Sequence, residues 1–218
     1  MFAVLLDFNG TMFFDSSLHM EAWSKIYQVL HPDDRRLPDT DLFCGPRNEV
    51  ILQSIAPWLS AEENAQFSEQ KEALYRLACK DNPEEVRLVS GTENLLDRLK
   101  ESGIPFAIAS ASIKPNIDFF FETFDLGRWF EMDRIVYDDG TYPDKGSMYL
   151  EAARRLRVDI RDCIIIEDSP SSIRSARQLH PRLLIALGNT ASPDLLLASG
   201  ADRYIRDFSE FDCAWLEH

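Results

Sequence analysis

The chain has 218 residues, 45% hydrophobic and 28% charged, with 23 Lys plus Arg against 37 Asp plus Glu and a formal charge of -14. That balance suits a globular protein with ample core, and it repels polyanions, so nucleic acid and anionic membrane surfaces are poor partners. The four cysteines, Cys44, Cys79, Cys163 and Cys213, form no C-x-x-C spacing, which argues against a zinc site or a disulfide framework. No apolar run approaches membrane-spanning length, and no signal-type segment precedes Asp7. A cytoplasmic, monomeric protein with reduced thiols is therefore expected.

The first apolar run, 2–6, reads as a strand and leads into Asp7-Phe8-Asn9-Gly10-Thr11. Residues 15–87 have a different character. Helical patterns cover 17–30, 48–59 and 61–79 with no strand-like run between them, and the charged segment "KDNPEEVR" (80–87) reads as a connector. Short apolar runs then return. Residues 105–109 precede Ser110-Ala111-Ser112, and 134–137 precede Asp138-Asp139-Gly140. Residues 163–166 precede Glu167-Asp168-Ser169, and 183–187 precede Gly188-Asn189. Amphipathic helices at 92–102, 147–156 and 171–179 separate these runs, and a short edge strand is expected around Tyr204 and Ile205. Unbroken apolar strands alternating with helices predict a doubly wound, mostly parallel, Rossmann-like α/β core. This core takes in residues 1–14 and 88–218, and an all-helical domain, 15–87, is inserted after its first strand.

Polar residues gather where the predicted strands end, the edge at which such sheets bind ligands. Asp7 there can act as a nucleophile toward phosphorus, or simply form an Asx turn with Asn9-Gly10. Glu167 and Asp168 are adjacent carboxylates closing a buried run. They repel each other unless solvent or a hard divalent cation relieves the charge, and Mg²⁺ is commonly held by such carboxylates together with phosphate oxygens. Ser110 offers a hydroxyl to a phosphate, or caps a helix. Lys145, in "YPDKGS" before a predicted helix, can balance the charge of a nucleophile and phosphate, or stand solvated on the surface.

In that order, Asp7-Phe8-Asn9-Gly10-Thr11, Ser110, Lys145 and Glu167-Asp168-Ser169 resemble the haloacid dehalogenase-like superfamily over nearly the whole chain. The insertion resembles its helical cap. "LHMEAW" (18–23) and "CGPRNEVIL" (44–52) are similar to cap segments of the β-phosphoglucomutase-like branch. The resemblance implies that Asp7 is the nucleophile and that Mg²⁺ binds Asp7, the Asn9 backbone carbonyl, Asp168 and Glu167. It implies that Thr11, Ser110, Ala111 and Lys145 hold the phosphate, and that Arg47 and His19 approach the substrate from the cap. His19 and Trp23 share a helix face at i and i+4, which suits either a ligand cleft or core packing.

Three positions depart from the family pattern. Lys145 lies nearer its helix than the family's Lys-Pro-x-Pro-Asp lysine, which aligns with Pro143. Phe14 replaces an Asp, with Asp15 beside it. Asn9 stands where family phosphatases carry the Asp that protonates the leaving oxygen and then activates water. An amide does neither, and general acid–base help is worth roughly 10²–10⁴-fold. The backbone carbonyl at position 9 survives the exchange, so metal binding is unaffected.

The expected function is Mg²⁺-dependent hydrolysis of a small phosphorylated metabolite, restricted to leaving groups that need little protonation unless His19 or Asp15 supplies a proton. The alternatives are a phosphate-ester binder without turnover, a hexose-phosphate mutase, or a phosphonatase with Lys25, Lys71 or Lys80 as its Schiff-base lysine. A dehalogenase would not need the Glu167-Asp168 pair. Deamidation at Asn9-Gly10 would restore the missing acid, although a folded loop restrains that reaction.

Overall fold

The structure is a computed structural model and describes residues 2–34, 43, 47–188 and 191–217. The chain divides into two compact units, Met1–Phe14 with Arg87–His218, and Asp15–Val86.

The first unit is a six-stranded parallel sheet. Its strands are β1 (Ala3–Leu6), β2 (Phe106–Ile113), β3 (Ile135–Asp138), β4 (Cys163–Glu167), β5 (Leu183–Leu187) and β6 (Arg203–Ile205), in the order β3-β2-β1-β4-β5-β6. All four residues of β1 are buried, because both faces of the strand are covered. On one face Ala3, Leu5, Ala107, Ala109, Ile165 and Ala186 pack with residues of α6 (Lys145–Leu156), α7 (Pro170–Arg177) and α8 (Pro193–Ala198). The alanines on these strands and on α6 (Ala152 and Ala153) let helix and sheet approach closely. The chain direction of strand addition reverses between β1 and β4. A crevice opens at such a switch point beyond the carboxyl ends of the strands, and Asp7 and Asp168 emerge there.

Several boundaries differ from the sequence-based expectation, each for a local reason. The strand expected at 105–109 continues to Ile113, so Ser110 lies within a strand and caps no helix. The helix expected at 147 begins at Lys145, because Asp144 accepts the Ser147 N–H and Ser147 answers with a reciprocal bond, forming a capping box. Lys145 is thus the first helical residue rather than a loop residue. The helix expected over 48–59 ends at Ile55, since Pro57 disfavours helical backbone at Ala56. The helix α5 (Lys114–Thr123) had no sequence expectation, because its run of three phenylalanines gives a weak helical signal.

The second unit contains α1 (Ser16–Leu30), α2 (Asn48–Ile55) and α3 (Ala61–Asp81). A capping box between Ser60 and Glu63 starts α3. Trp23, Ile26, Tyr27, Ile51, Leu52 and Ile55 form its apolar core, so Trp23 is a packing residue. Beside them lies a buried polar chain. Lys71, only 2% exposed, is 2.8 Å from both Glu72 Oε1 and His19 Nδ1, and its ammonium stands over the rings of Trp23 and Tyr75. Asn48 also donates to Glu72 at 2.7 Å. Lys71 therefore has the aromatic surroundings that sequence alone left unseen, but it has a carboxylate partner as well.

Burial alone would raise the Glu72 carboxyl. The adjacent Lys71 ammonium outweighs it, with help from His19 and Asn48, and holds the group at about 2. Replacing Glu72 by Gln strands a buried ammonium and should destabilise the protein by roughly 3 kcal/mol at neutral pH. The folded carboxyl titrates at about 2 and the unfolded one at 4.5, so the wild-type advantage is full above the unfolded value and is lost as pH falls toward the folded one. Urea unfolding of wild type and Glu72→Gln at neutral and strongly acidic pH measures it.

Candidate active site

The loop after β1 is built on one carbonyl. Phe8 O accepts the N–H groups of Thr11, Met12 and Phe13 at 3.2, 2.8 and 3.0 Å, and Gly10 N–H donates to Phe13 O at 2.7 Å. Gly10 takes φ +76, and a side chain there would collide with the Asp168 carboxylate, so glycine is required on both counts. Aromatic packing anchors the loop from below. Phe8 stacks on Phe120 of α5 with centroids 4.5 Å apart, and Phe13 lies 5.1 Å from Phe124. Asp7 is consequently held at the strand end, its N–H bonded to Ile166 O at 3.0 Å.

Three buried carboxylates, Asp7, Glu167 and Asp168, bring one oxygen each within 4.8 Å of one another. Glu167 Oε2 accepts the N–H groups of Asp168 and Ser169 at 2.7 and 2.9 Å, which fixes the turn out of β4. The Lys145 ammonium pairs with Asp7 Oδ1 and lies 3.4 Å from Glu167 Oε1. It makes both contacts from the first turn of α6. Thr11 Oγ1 stands 3.4 Å from Asp7 Oδ2.

Three carboxyl groups face one ammonium in a buried space. Burial first, and then the Glu167 charge, raise the Asp7 carboxyl to about 7, even though the Lys145 ammonium pulls the other way. Attraction by Asp7 and Glu167 raises the Lys145 ammonium above its ordinary value despite its burial. An all-oxygen donor set with more carboxylates than cationic groups is the chemistry that suits a hard divalent cation. Asp7, Asp168 and Glu167 are the side chains that could hold one.

The other expected residues divide by unit. Ser110 is buried at the end of the β2 ladder and Ala111 is exposed beside it. Asn9 Oδ1 accepts the Ser112 hydroxyl at 2.7 Å and lies 3.3 Å from Ser110 Oγ. The core unit thus brings together Asp7, Asn9, Thr11, Ser110, Lys145, Glu167 and Asp168. Arg47 and His19 belong to the helical unit. Arg47 is exposed immediately before α2, while His19 stacks on Tyr75 and bridges Lys71 and Asp15, its Nε2 being 3.2 Å from Asp15 Oδ2. Tyr75 donates to the same Asp15 oxygen at 2.5 Å.

Two neighbours of the site had no expectation from sequence. Tyr149, one turn beyond Lys145, is fully buried with the Lys145 ammonium 5.6 Å from its ring centroid. Burial, then the Glu167 and Asp7 charges, push its phenol well above the ordinary value. Its i+4 spacing from Lys145 was the available signal. Ser112 was visible only as a neighbour of Ser110. Among the cysteines, burial pushes the thiols of Cys79 and Cys163 up to about 12, so both are poor nucleophiles. Cys44 lies outside the described residues, as does Asn189.

A parallel α/β sheet thus carries a buried Asp, a paired lysine and a carboxylate cluster at its switch point, an arrangement that fits a hydrolase. The chain belongs to the haloacid dehalogenase-like hydrolases, whose family profile matches residues 1–180. A family IA, variant 3 hydrolase of this superfamily from Entamoeba histolytica is 32% identical, with a TM-score of 0.89 over 98% of this chain and 96% of that one. The β-phosphoglucomutase of Clostridium difficile shares the fold, with a TM-score of 0.77 at 20% identity over 100% and 96% of the two chains. Validoxylamine A 7'-phosphate phosphatase of Streptomyces hygroscopicus is 24% identical across 94% of this chain and 93% of its own. Two matching relatives from Arabidopsis thaliana are much longer, and the matched regions span 33% and 27% of their lengths.

Lys145 offsets much of the repulsion in the cluster. Lys145→Met should lower metal-free stability by about 3–5 kcal/mol, and adding Asp7→Asn to it should recover part of that loss. Chemical denaturation of the three proteins in chelator measures both effects.

Proposed function

We propose that this protein is a Mg²⁺-dependent phosphohydrolase of a small phosphorylated metabolite. Asp7 attacks phosphorus, the ester oxygen departs with the bonding electrons, and water then cleaves the aspartyl phosphate. The observation that carries this reading is the Lys145 ammonium seated between Asp7 and Glu167 within a cluster that retains surplus negative charge. Lys145 orients the attacking carboxylate and screens it from the incoming phosphate. Thr11, Ser110 and the Ala111 N–H hold phosphoryl oxygens. Asp7, Asp168, Glu167 and the Asn9 carbonyl would hold Mg²⁺, which supplies positive charge to the carboxylates and to the phosphoryl oxygens.

Arg47 and His19 of the helical unit serve substrate selection. The phosphorylated substrate class is supported by the Streptomyces relative, a validoxylamine A 7'-phosphate phosphatase. Lys71 is engaged by Glu72 and buried, which weighs against the phosphonatase alternative. Asn9 has no proton to give, so phosphate esters with acidic leaving groups and acyl phosphates are the preferred substrates. Absent turnover, the same site binds phosphate esters without cleaving them.

A panel of acyl and nitrophenyl phosphates assayed with Mg²⁺ tests the reading. Asp7→Asn is expected to abolish the wild-type rate. Asn9→Asp is expected to accelerate cleavage of alkyl phosphates by roughly 10²–10⁴-fold. A wild-type rate equal to that of Asp7→Asn, with activity appearing only in Asn9→Asp, establishes the binder instead. In a separate measurement, Mg²⁺ should raise the thermal midpoint of wild type and leave that of Asp168→Asn nearly unchanged.

A further inference from the structure

The side chain of Asn9 is held in one orientation by the strand beside it. Between Ala109 and Ile113 the chain of β2 advances four residues while its partner β3 advances two, from Val136 to Asp138. This irregularity lifts Ser110, Ala111 and Ser112 out of the ladder, as bulges beside active sites commonly do. Ser112 donates its hydroxyl to Asn9 Oδ1 at 2.7 Å, and Ser110 Oγ, two positions earlier, lies 3.3 Å from the same oxygen. The Ser112 N–H in turn donates to Ser110 Oγ at 3.2 Å, tying the two serines together. With Oδ1 engaged on this side, the planar amide must direct its Nδ2 hydrogens to the opposite side of Cγ.

We propose that Ser112 is a positioning residue. It locks the Asn9 amide with Nδ2 as a hydrogen-bond donor toward the leaving oxygen of the scissile phosphate ester. This rests on the phosphohydrolase reading above. As Asp7 bonds to phosphorus and the P–O bond to the leaving group breaks, the departing oxygen takes the electron pair and is stabilised by the donor. No proton moves from Asn9. The stabilisation matters most where the departing oxygen carries the most charge, so Ser112 tunes which leaving groups are accepted.

The same lock restrains Asn9 chemically. Deamidation requires the Gly10 backbone nitrogen to attack Asn9 Cγ, closing an imide and expelling Nδ2 as ammonia, after which water opens the ring. Here Gly10 N–H is bonded to Phe13 O and the Asn9 side chain is held by Ser112.

Two measurements test the assignment. In the first, phenolate release from dinitrophenyl, nitrophenyl and phenyl phosphate is followed in wild type, Ser112→Ala, Ser112→Thr, Asn9→Ala and the double variant Asn9→Ala/Ser112→Ala. Ser112→Ala is expected to cost about tenfold on phenyl phosphate, the worth of one ordinary hydrogen bond. It should cost little on dinitrophenyl phosphate and nothing further in the Asn9→Ala background, and Ser112→Thr should restore the rate. An equal loss on all three esters, additivity with Asn9→Ala, or an unchanged or raised rate overturns the proposal.

The second measurement needs no turnover. Peptide mapping after incubation at mildly alkaline pH should show Asn9 deamidating severalfold faster in Ser112→Ala than in wild type or Ser112→Thr. Equal rates overturn the lock. If wild type proves no faster than Asp7→Asn, the phosphohydrolase reading fails by itself, and the mapping alone decides whether Ser112 holds Asn9.

Discussion

The core unit is organised around one electrostatic constraint. Three carboxylates are buried together at the end of a parallel sheet, and one ammonium, from Lys145, stands against them. Like charges held this close in a poorly solvated space are costly, and backbone N–H groups and the lysine offset part of that cost. Glu167 gives one oxygen to two backbone N–H groups and faces the ammonium with the other, while Asp7 is paired to Lys145. Gly10 lies so close to Asp168 that no side chain could be accommodated. Burial first, and then the Glu167 charge, raise the Asp7 carboxyl against the pull of Lys145.

That constraint explains why the surrounding fold is built as it is. A nucleophile loop with a surplus of charge next to it needs support from apolar packing, and the phenylalanines of β1's exit loop and of α5 supply it. The lysine must arrive from a rigid element, and the capping box at Asp144 and Ser147 begins α6 at Lys145 itself. From there its long side chain reaches Asp7 and Glu167. The helical unit solves a related problem separately. Its buried Lys71 is matched by Glu72 and shielded by Trp23 and Tyr75.

Asn9 places a neutral amide next to the carboxylate cluster. Its side-chain oxygen is held by the Ser112 hydroxyl from an irregular strand. In the proposed mechanism the amide offers a fixed dipole in place of proton transfer. Such a group assists departure of a charged oxygen without changing protonation state, so its benefit depends on orientation alone.

The alternation of apolar runs and amphipathic helices was sufficient to read a parallel α/β core and a helical insertion, because strands buried on both faces leave unbroken hydrophobic segments. Asp7, Ser110, Lys145, Glu167 and Asp168 were legible as candidates for the same reason: each lies near where such a run ends. Other features depend on residues distant in the chain and have no periodic signature. Only the tertiary structure decided that Lys145 starts a helix and pairs with Asp7, 138 positions away. Only folding brought Ser112 to Asn9, 103 positions away, and buried Lys71 among aromatic rings. The sequence by itself determined which groups are available and at which strand ends they lie. Their partners, orientations and charge states arise from packing, because hydrogen bonds and ion pairs act through space and not along the chain.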